Sequence, residues 1–149
     1  MTEWTLAQAE ADALLALPKK AVSSEVYDFP GAGAKLSLPL ISHDGREEFL
    51  LDLRRGRIDV AKTTYQNRAR RVVPLARLDI NGRPHTNPDG QPVPRTHLHL
   101  YRERYGLTWA SAVSPTQFSQ PSDLAVTLND FLRFCNVDPG PSITTRLAV

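Results

Sequence analysis

Three of the four histidines in this sequence lie between positions 85 and 99. His97 and His99 are separated by one residue, and because side chains alternate along a strand, they would project from one face together with Tyr101. An imidazole changes charge near neutral pH, so one histidine can remove a proton while another donates one. This spacing indicates acid–base chemistry on one face of a strand covering residues 96–102.

A second strand, residues 75–80, carries the other charged candidates. Its apolar residues occupy alternate positions, which places Arg77 and Asp79 together on the opposite face. If the loop of residues 81–95 joins the two strands as an antiparallel pair, both apolar faces must point the same way, since a slip of one residue would bury the histidines. The loop then brings His85 and Arg83 to the end of the polar face. The sequence predicts six catalytic residues: His97, His99, Arg77, Asp79, His85 and Tyr101.

These residue types fit the cleavage of RNA without a metal ion. The 2′-hydroxyl of ribose is the nucleophile in that reaction, so the protein needs a base, an acid and a cation rather than a reactive serine or cysteine. Arg77 would stabilise charge on a phosphoryl oxygen, and Asp79 would orient a histidine and fix its tautomer. We therefore expect no cofactor.

Two other interpretations of these residues stay open. A strand with two alternating histidines can be an ordinary polar outer face, on which Arg77 and Asp79 form a surface ion pair of little energetic weight. His97 and His99 with His85 or Asp79 also have the composition of a site for Fe, Mn or Zn. No further carboxylate has clear ligand spacing, however, and the nearby arginines disfavour a bound cation.

The middle third of the chain is strongly basic. Residues 54–104 hold 12 lysines and arginines against 4 acidic residues, whereas residues 1–53 hold 4 against 9. Arginine grips phosphate through two donors, so RNA or another polyanion is the expected partner. The alternative is a solvated basic face that the acidic N-terminal third balances within the fold or across a dimer. The predicted nucleic-acid-binding residues are Arg54, Arg55, Arg57, Lys62, Arg68, Arg70 and Arg71.

Length and composition bound the class of protein. With 149 residues, of which 41% are hydrophobic and 23% charged, the chain fits one globular domain over residues 1–149. The single cysteine, Cys135, cannot form an internal disulfide, which favours the cytoplasm. Acidic residues near the N-terminus argue against a signal peptide, and no apolar run is long enough to cross a membrane.

The hydrophobic pattern predicts a helix at each end of a sheet. Residues 1–18 form the first helix, with Thr5 and Gln8 as a capping box, and residues 122–135 form the second, capped by Ser122 and Asp123. Residues 25–113 form an antiparallel meander in which Gln66 and Asn67 make one of the turns. Residues 142–149 are expected to be a loosely held tail. The predicted fold is α+β, a twisted antiparallel sheet of four to six strands with both helices packed on one face.

Five short motifs of this sequence carry a resemblance to known families: residues 77–79, 84–90, 97–103, 105–106 and 109–110. They resemble a domain-of-unknown-function family of small bacterial and phage-associated proteins over about residues 45–112. The same order of residues is similar, more distantly, to toxins of the TumE type and through them to the RelE-like ribonuclease fold. That resemblance implies catalytic roles for Arg77, Asp79, His85, His97 and His99.

The function predicted from these observations is a toxin-like or defence-related RNA endonuclease that works without a metal ion. The alternative from another class is a non-catalytic module that binds nucleic acid or protein through its basic face. A phage-encoded inhibitor or an antitoxin-like regulator would be such a module. An antitoxin is the protein partner that the enzyme hypothesis implies, and the sequence does not fix the oligomeric state.

Overall fold

The computed structural model describes residues 6–145. Two helices and eleven strands are present in that range. In chain order they are α1 (Gln8–Ala16), β1 (Lys19–Ala21), β2 (Val26–Asp28), β3 (Lys35–Ser42), β4 (Glu48–Arg55), β5 (Thr63–Ala69), β6 (Val73–Ile80), β7 (His85–Thr86), β8 (Pro92–Val93), β9 (His97–Leu100), β10 (Ala110–Ala112), α2 (Leu124–Phe134) and β11 (Ser142–Thr144).

Seven of these strands form the main sheet, in the order β1-β3-β4-β5-β6-β9-β10. Every neighbouring pair in it is antiparallel. Along β4 the alternation is clear, because Phe49, Leu51 and Leu53 are buried while Asp52 and Arg54 point to the opposite face. The α+β prediction is confirmed, and the sheet has one strand more than the upper limit of the prediction.

Both helices cover the apolar face of this sheet. Leu14 of α1 and Phe131 of α2 belong to the same buried cluster as the inward-facing strand residues, and the rings of Tyr65 and Phe131 lie 6.0 Å apart. The predicted cap of α2 is confirmed at Asp123, whose Oδ1 accepts a hydrogen bond from the Val126 amide at 3.0 Å. Both helices pack on that side, and we call the opposite side, which carries polar strand residues such as Asp52 and Thr64, the open face of the sheet.

The beginning of α1 is held by a distant side chain. The predicted partner Thr5 lies outside the described residues, and the N-cap residue, Ala7, has no side-chain hydrogen bond. Instead the backbone amide of Gln8 donates to Glu103 Oε1 at 2.7 Å, and the backbone amide of Glu103 donates to Gln8 Oε1 at 2.9 Å. A carboxylate thus meets the first turn of the helix, where its charge is favourable.

A buried lysine joins the ends of the two helices. Lys19 is completely buried, and its Nζ donates to the carbonyls of Leu15, Leu17 and Cys135 at 2.8, 2.9 and 2.8 Å. The three bonds satisfy carbonyls that the helix ends leave without partners. Burial lowers the pKa of Lys19 to about 8, against a smaller opposing effect of Cys135.

Two local predictions were wrong. Asn67 is not in a turn: it lies within β5, fully buried, and its Nδ2 donates to Leu50 O at 3.3 Å. The turn spans residues 70–72: the Val72 amide donates to Ala69 O at 3.0 Å, and the two central residues, Arg70 and Arg71, adopt positive φ of 52° and 65°. The predicted tail is a strand over part of its length, because β11 pairs in parallel with β2.

Among the described residues, neither helix has the length and hydropathy that a membrane crossing needs.

Candidate functional site

The pairing of β6 with β9 brings together the four strand-borne candidates. In the antiparallel register Asp79 lies opposite His97 and Arg77 lies opposite His99. The predicted loop between them is ordered and contains the small β7–β8 hairpin. The prediction that these four side chains share one face of the sheet is therefore confirmed. The expectation that this face leaves the histidines exposed was wrong, because contacts with the loop residues Pro94 and Leu107 bury His97 and His99.

Each histidine of this group is fixed through both ring nitrogens. His97 Nδ1 lies 2.7 Å from Pro94 O and His99 Nδ1 lies 2.6 Å from Leu107 O. A carbonyl oxygen only accepts, so both Nδ1 atoms carry a hydrogen. The two Nε2 atoms converge on Asp79 Oδ2, at 3.2 Å from His97 and 3.3 Å from His99. The side chains are only 2% and 3% exposed, at the floor of the site.

This arrangement constrains where protons can be. A neutral imidazole with a hydrogen on Nδ1 presents a lone pair at Nε2, and an ionised carboxylate offers lone pairs as well. The lone pair on each Nε2 therefore repels the lone pairs of the carboxylate oxygen that it faces. The contacts of Asp79 with His97 and His99 become attractive when a proton, or another cation, occupies the space between them.

Asp79 also contacts one cationic and one neutral side chain on the sheet, Arg77 and Thr64. Its Oδ1 lies 3.2 Å from Arg77 Nε and accepts a hydrogen bond from Thr64 Oγ1 at 3.3 Å. Burial alone would raise the pKa of Asp79, but the hydrogen bond from His99 and the charges of Arg77, His99 and His97 outweigh it. The pKa is lowered below the usual value, so Asp79 is a carboxylate at neutral pH.

His85, in β7, approaches the same group from the loop. Its Nε2 donates to Thr108 O at 2.9 Å, and its ring centroid lies 5.6 Å from that of His97 and 4.9 Å from that of His99. Because Nε2 is the donor, Nδ1 of a neutral His85 is free to accept a proton. His85 is thus the one histidine of the three whose neutral form has its lone pair on Nδ1.

Two hydrogen bonds of the Asn87 side chain fix the loop that carries His85. Asn87 Nδ2 donates to Ala110 O at 2.9 Å, and the Ala110 amide donates to Asn87 Oδ1 at 2.8 Å. These two bonds tie the loop to β10 at the edge of the main sheet. Gly90 closes the hairpin with a φ of 88°, which favours glycine.

The three histidines line an open cavity of about 660 Å³. Asp79 is the one carboxylate among the described residues that line it, and Asp79 is already engaged with His97 and His99. Such a surplus of positive charge favours an anion. The cationic residues lining the cavity are Arg54, Arg55, Arg57, Lys62, Arg77 and Arg83.

The loop of residues 56–62 supplies one wall of this cavity. A Cβ at Gly56 would collide with the backbone oxygen of Asp59, so the tight turn requires glycine there. Arg55 is largely buried and donates to Val60 O through Nε and Nη2, at 3.1 and 2.7 Å. Arg55 therefore also holds the loop in shape.

The structure divides the seven predicted nucleic-acid-binding residues. Arg54, Arg55, Arg57 and Lys62 line the cavity. The other three do not. Arg68 donates to Asp52 at 2.6 and 2.9 Å, Arg70 pairs with Glu10 and Glu47 at 3.0 and 3.2 Å, and Arg71 lies exposed in the β5–β6 turn.

The predicted position of Tyr101 was wrong. The alternation of β9 ends at Leu100, and the Tyr101 ring is buried in the core. Its hydroxyl donates to Leu6 O at 2.7 Å, and the residue does not line the histidine cavity. Arg83 was expected near the site and does line it. Thr64 was missed, although the alternation of polar residues along β5 was a usable signal for it.

The same group of side chains has the composition of a metal site. One ligand atom each from Asp79, His97 and His99 lies within 4.8 Å of the others, and metal-bound histidines commonly donate their second nitrogen to a carbonyl, as both do here. The cationic lining of the cavity opposes a bound metal ion and favours an anion.

The fold and site define an α+β protein with a His-Asp-His cluster beneath a cavity lined by cationic side chains on the open face of its sheet. The chain belongs to a family of unknown function, DUF6978, whose model matches residues 6–137. No curated protein matches the chain. No solved structure matches it either.

Proposed function

We propose that this protein is an RNA endonuclease of a toxin-like or defence-related kind, with its reaction centre at Asp79, His85, His97 and His99. The observation that carries the proposal is the combination of three imidazoles and six cationic side chains around one cavity. A phosphodiester is an anion that needs proton transfers for its cleavage, so it uses both features.

The proton positions suggest a division of roles. His85, with its Nε2 hydrogen committed to Thr108 O, would accept the proton of the ribose 2′-hydroxyl at Nδ1. The 2′-oxygen attacks phosphorus and forms a 2′,3′-cyclic phosphate as the bond to the 5′-oxygen breaks. The imidazolium of His97 or His99, stabilised by Asp79, would protonate the departing 5′-oxygen with its Nε2 hydrogen, which leaves its contact with Asp79 as the transfer occurs.

The cationic side chains would act on the phosphate itself. Arg77 lies beside Asp79 and can approach the phosphoryl oxygens on which charge develops. Arg54, Arg57, Lys62 and Arg83 make no side-chain ion pair or hydrogen bond within residues 6–145, so their donors are available to the RNA backbone.

RNA is favoured over DNA because of the nucleophile. Neither serine nor cysteine is among the described residues that line the cavity, and the Thr64 hydroxyl donates to Asp79. The 2′-hydroxyl of the substrate supplies the nucleophile that the protein lacks there. DNA, which has no 2′-hydroxyl, would bind without being cleaved.

The test compares purified wild-type protein with the His97→Ala/His99→Ala double variant on a fluorescent RNA and on DNA of the same sequence. Cleavage of RNA alone, lost in the variant, supports the proposal. Growth arrest on expression, relieved by the same double substitution, supports the toxin-like role. Salt-sensitive RNA binding without cleavage would overturn the enzyme proposal and favour the non-catalytic binding module.

A further inference from the structure

A second cavity adjoins the histidine cavity on the open face of the sheet. Its volume is about 310 Å³, and it shares Arg54, Thr64 and Arg77 with the first. Beyond these shared residues it extends to Lys35 at the start of β3. The two cavities therefore form one continuous depression across β3, β4, β5, β6 and β9.

The strand register aligns the residues of this depression in a row. Lys35 lies opposite Arg54, Arg54 opposite Thr64, Thr64 opposite Asp79, and Asp79 opposite His97. Four steps between neighbouring strands, each about 4.8 Å, span ~19 Å. This row crosses the strands at right angles and ends at the histidines.

Some charged residues along or beside this row are already paired, and others are not. Lys35 and Arg54 are exposed, and neither side chain makes an ion pair or hydrogen bond within the part of the chain that the structure describes. Next to them, Asp52 is neutralised: it accepts hydrogen bonds from Arg68, from Gln66 at 3.0 Å and from Ser37 at 2.7 Å. The second cavity therefore offers two free cations over a polar floor whose carboxylate is already paired.

The first cavity is deep where the histidines lie, and this depth limits which form of nucleic acid can reach both cavities. His97 and His99 are almost fully buried at the floor of the first cavity. A base-paired backbone is held in a rigid helix, whereas a single strand can bend into a depression and extend along a charged groove.

We propose that the substrate is single-stranded RNA that lies across the strands, from the histidines to Lys35, with the cleaved bond at one end of this footprint. The inference rests on the proposed function, since it extends the same site. It makes Lys35 a binding residue for nucleotides distant from the cleaved bond, and not for that bond itself.

The experiment measures binding of RNA that cannot be cleaved. Fluorescent 2′-O-methyl oligonucleotides of two and of twelve nucleotides are titrated against wild-type protein, Lys35→Gln and the control Arg71→Gln, over a range of salt concentrations. Lys35→Gln should weaken binding of the 12-mer and reduce its salt slope by about 0.7, the value for one phosphate contact on a single strand. Binding of the dinucleotide should not change, and Arg71→Gln should behave as wild type.

Different failures have different meanings. If Lys35→Gln affects both lengths equally, or neither, the footprint is wrong while the reaction centre stands. If a 12-base-pair duplex binds as tightly as the single strand, the single-strand proposal is overturned. If wild-type protein binds no RNA of either length, the proposed function fails first. Equal thermal unfolding of the variants shows that the exposed substitutions leave the fold intact.

Discussion

Asp79 Oδ2 lies 3.2 Å from His97 Nε2, across the β6–β9 pair, while the other nitrogen of the same ring donates to Pro94 O. This relationship fixes both the tautomer and the orientation of the imidazole. His99 repeats it with Leu107 O and the same Asp79 oxygen. A carboxylate shared by two anchored imidazoles is a place where a proton can be held next to the cavity that we propose binds phosphate.

Replacing Asp79 with asparagine separates catalysis from binding. The amide keeps the size of the side chain but removes the negative charge that stabilises an imidazolium, so we expect cleavage to fall by about 10²-fold or more. RNA affinity should stay equal or increase, because the cavity loses its one carboxylate. Single-turnover cleavage and fluorescence anisotropy measure the two effects, with Asp28→Asn, exposed in β2 and outside both cavities, as the matched control. A parallel loss of binding and cleavage would contradict the role of Asp79.

Removal of the histidines should affect turnover more than affinity. If His97 and His99 transfer protons, His97→Gln and His99→Gln should each reduce the rate of cleavage by roughly 10²-fold while the dissociation constant for RNA changes little. The cations that hold the phosphates are untouched by these substitutions. Variants that cleave at the wild-type rate would show that the buried histidines are structural.

The dependence of RNA binding on salt should distinguish free from paired arginines. Arg57→Gln and Arg83→Gln should each lower the slope of log affinity against log salt by about 0.7, one phosphate contact on single-stranded RNA. Arg70→Gln should leave the slope unchanged, because Glu10 and Glu47 already neutralise that guanidinium. Binding of a non-cleavable RNA at several salt concentrations gives all three slopes. An equal effect of Arg70→Gln would contradict the cavity as the binding surface.

The ion pair of Asp52 with Arg68 should make stability depend on pH. Burial alone would raise the pKa of Asp52, but hydrogen bonds from Arg68, Gln66 and Ser37 and the charge of Arg68 lower it below the usual value. A carboxylate with a lowered folded-state pKa contributes stability above its unfolded-state pKa of about 3.9, and this contribution is lost as the pH falls through the folded value. Below pH 4 the protein should therefore lose stability.

The variant Asp52→Asn tests this dependence. At pH 7 it should unfold at lower urea concentration, with a loss of roughly 1–3 kcal/mol, as expected for hydrogen bonds to a charged group. The difference from wild type should shrink as the pH is lowered below 4. A difference of constant size across that range would show that the charge of Asp52 is not what stabilises the sheet.

The candidate site was largely predictable because it follows strand alternation. The spacing of Arg77, Asp79, His97 and His99 determines which face they share once two strands pair, and the turn-forming residues between them indicate where the pairing begins. The prediction for Tyr101 was wrong because β9 ends at Leu100, one residue before it. Sequence spacing shows which side a residue takes within a strand but does not show where the strand stops.

The hairpin between β5 and β6 and the binding arginines were harder to predict for related reasons. A tight turn with two central residues at positive φ usually has asparagine or glycine there, whereas here Arg70 and Arg71 occupy these positions. The composition of the basic segment also does not show which of its arginines are free to bind a phosphate and which are paired. Which of them is neutralised depends on distant partners such as Glu10, which only the folded chain brings near.

Cleavage of RNA in the presence of EDTA tests the central claim most directly. A 5′-labelled single-stranded RNA is incubated with wild-type protein and with His85→Ala in excess EDTA, and the product ends are identified by mass. We expect cleavage by the wild type that leaves a 2′,3′-cyclic phosphate, and loss of that product with His85→Ala. Absence of cleavage in EDTA that returns with one transition metal would contradict it, and would assign Asp79, His97 and His99 as metal ligands instead.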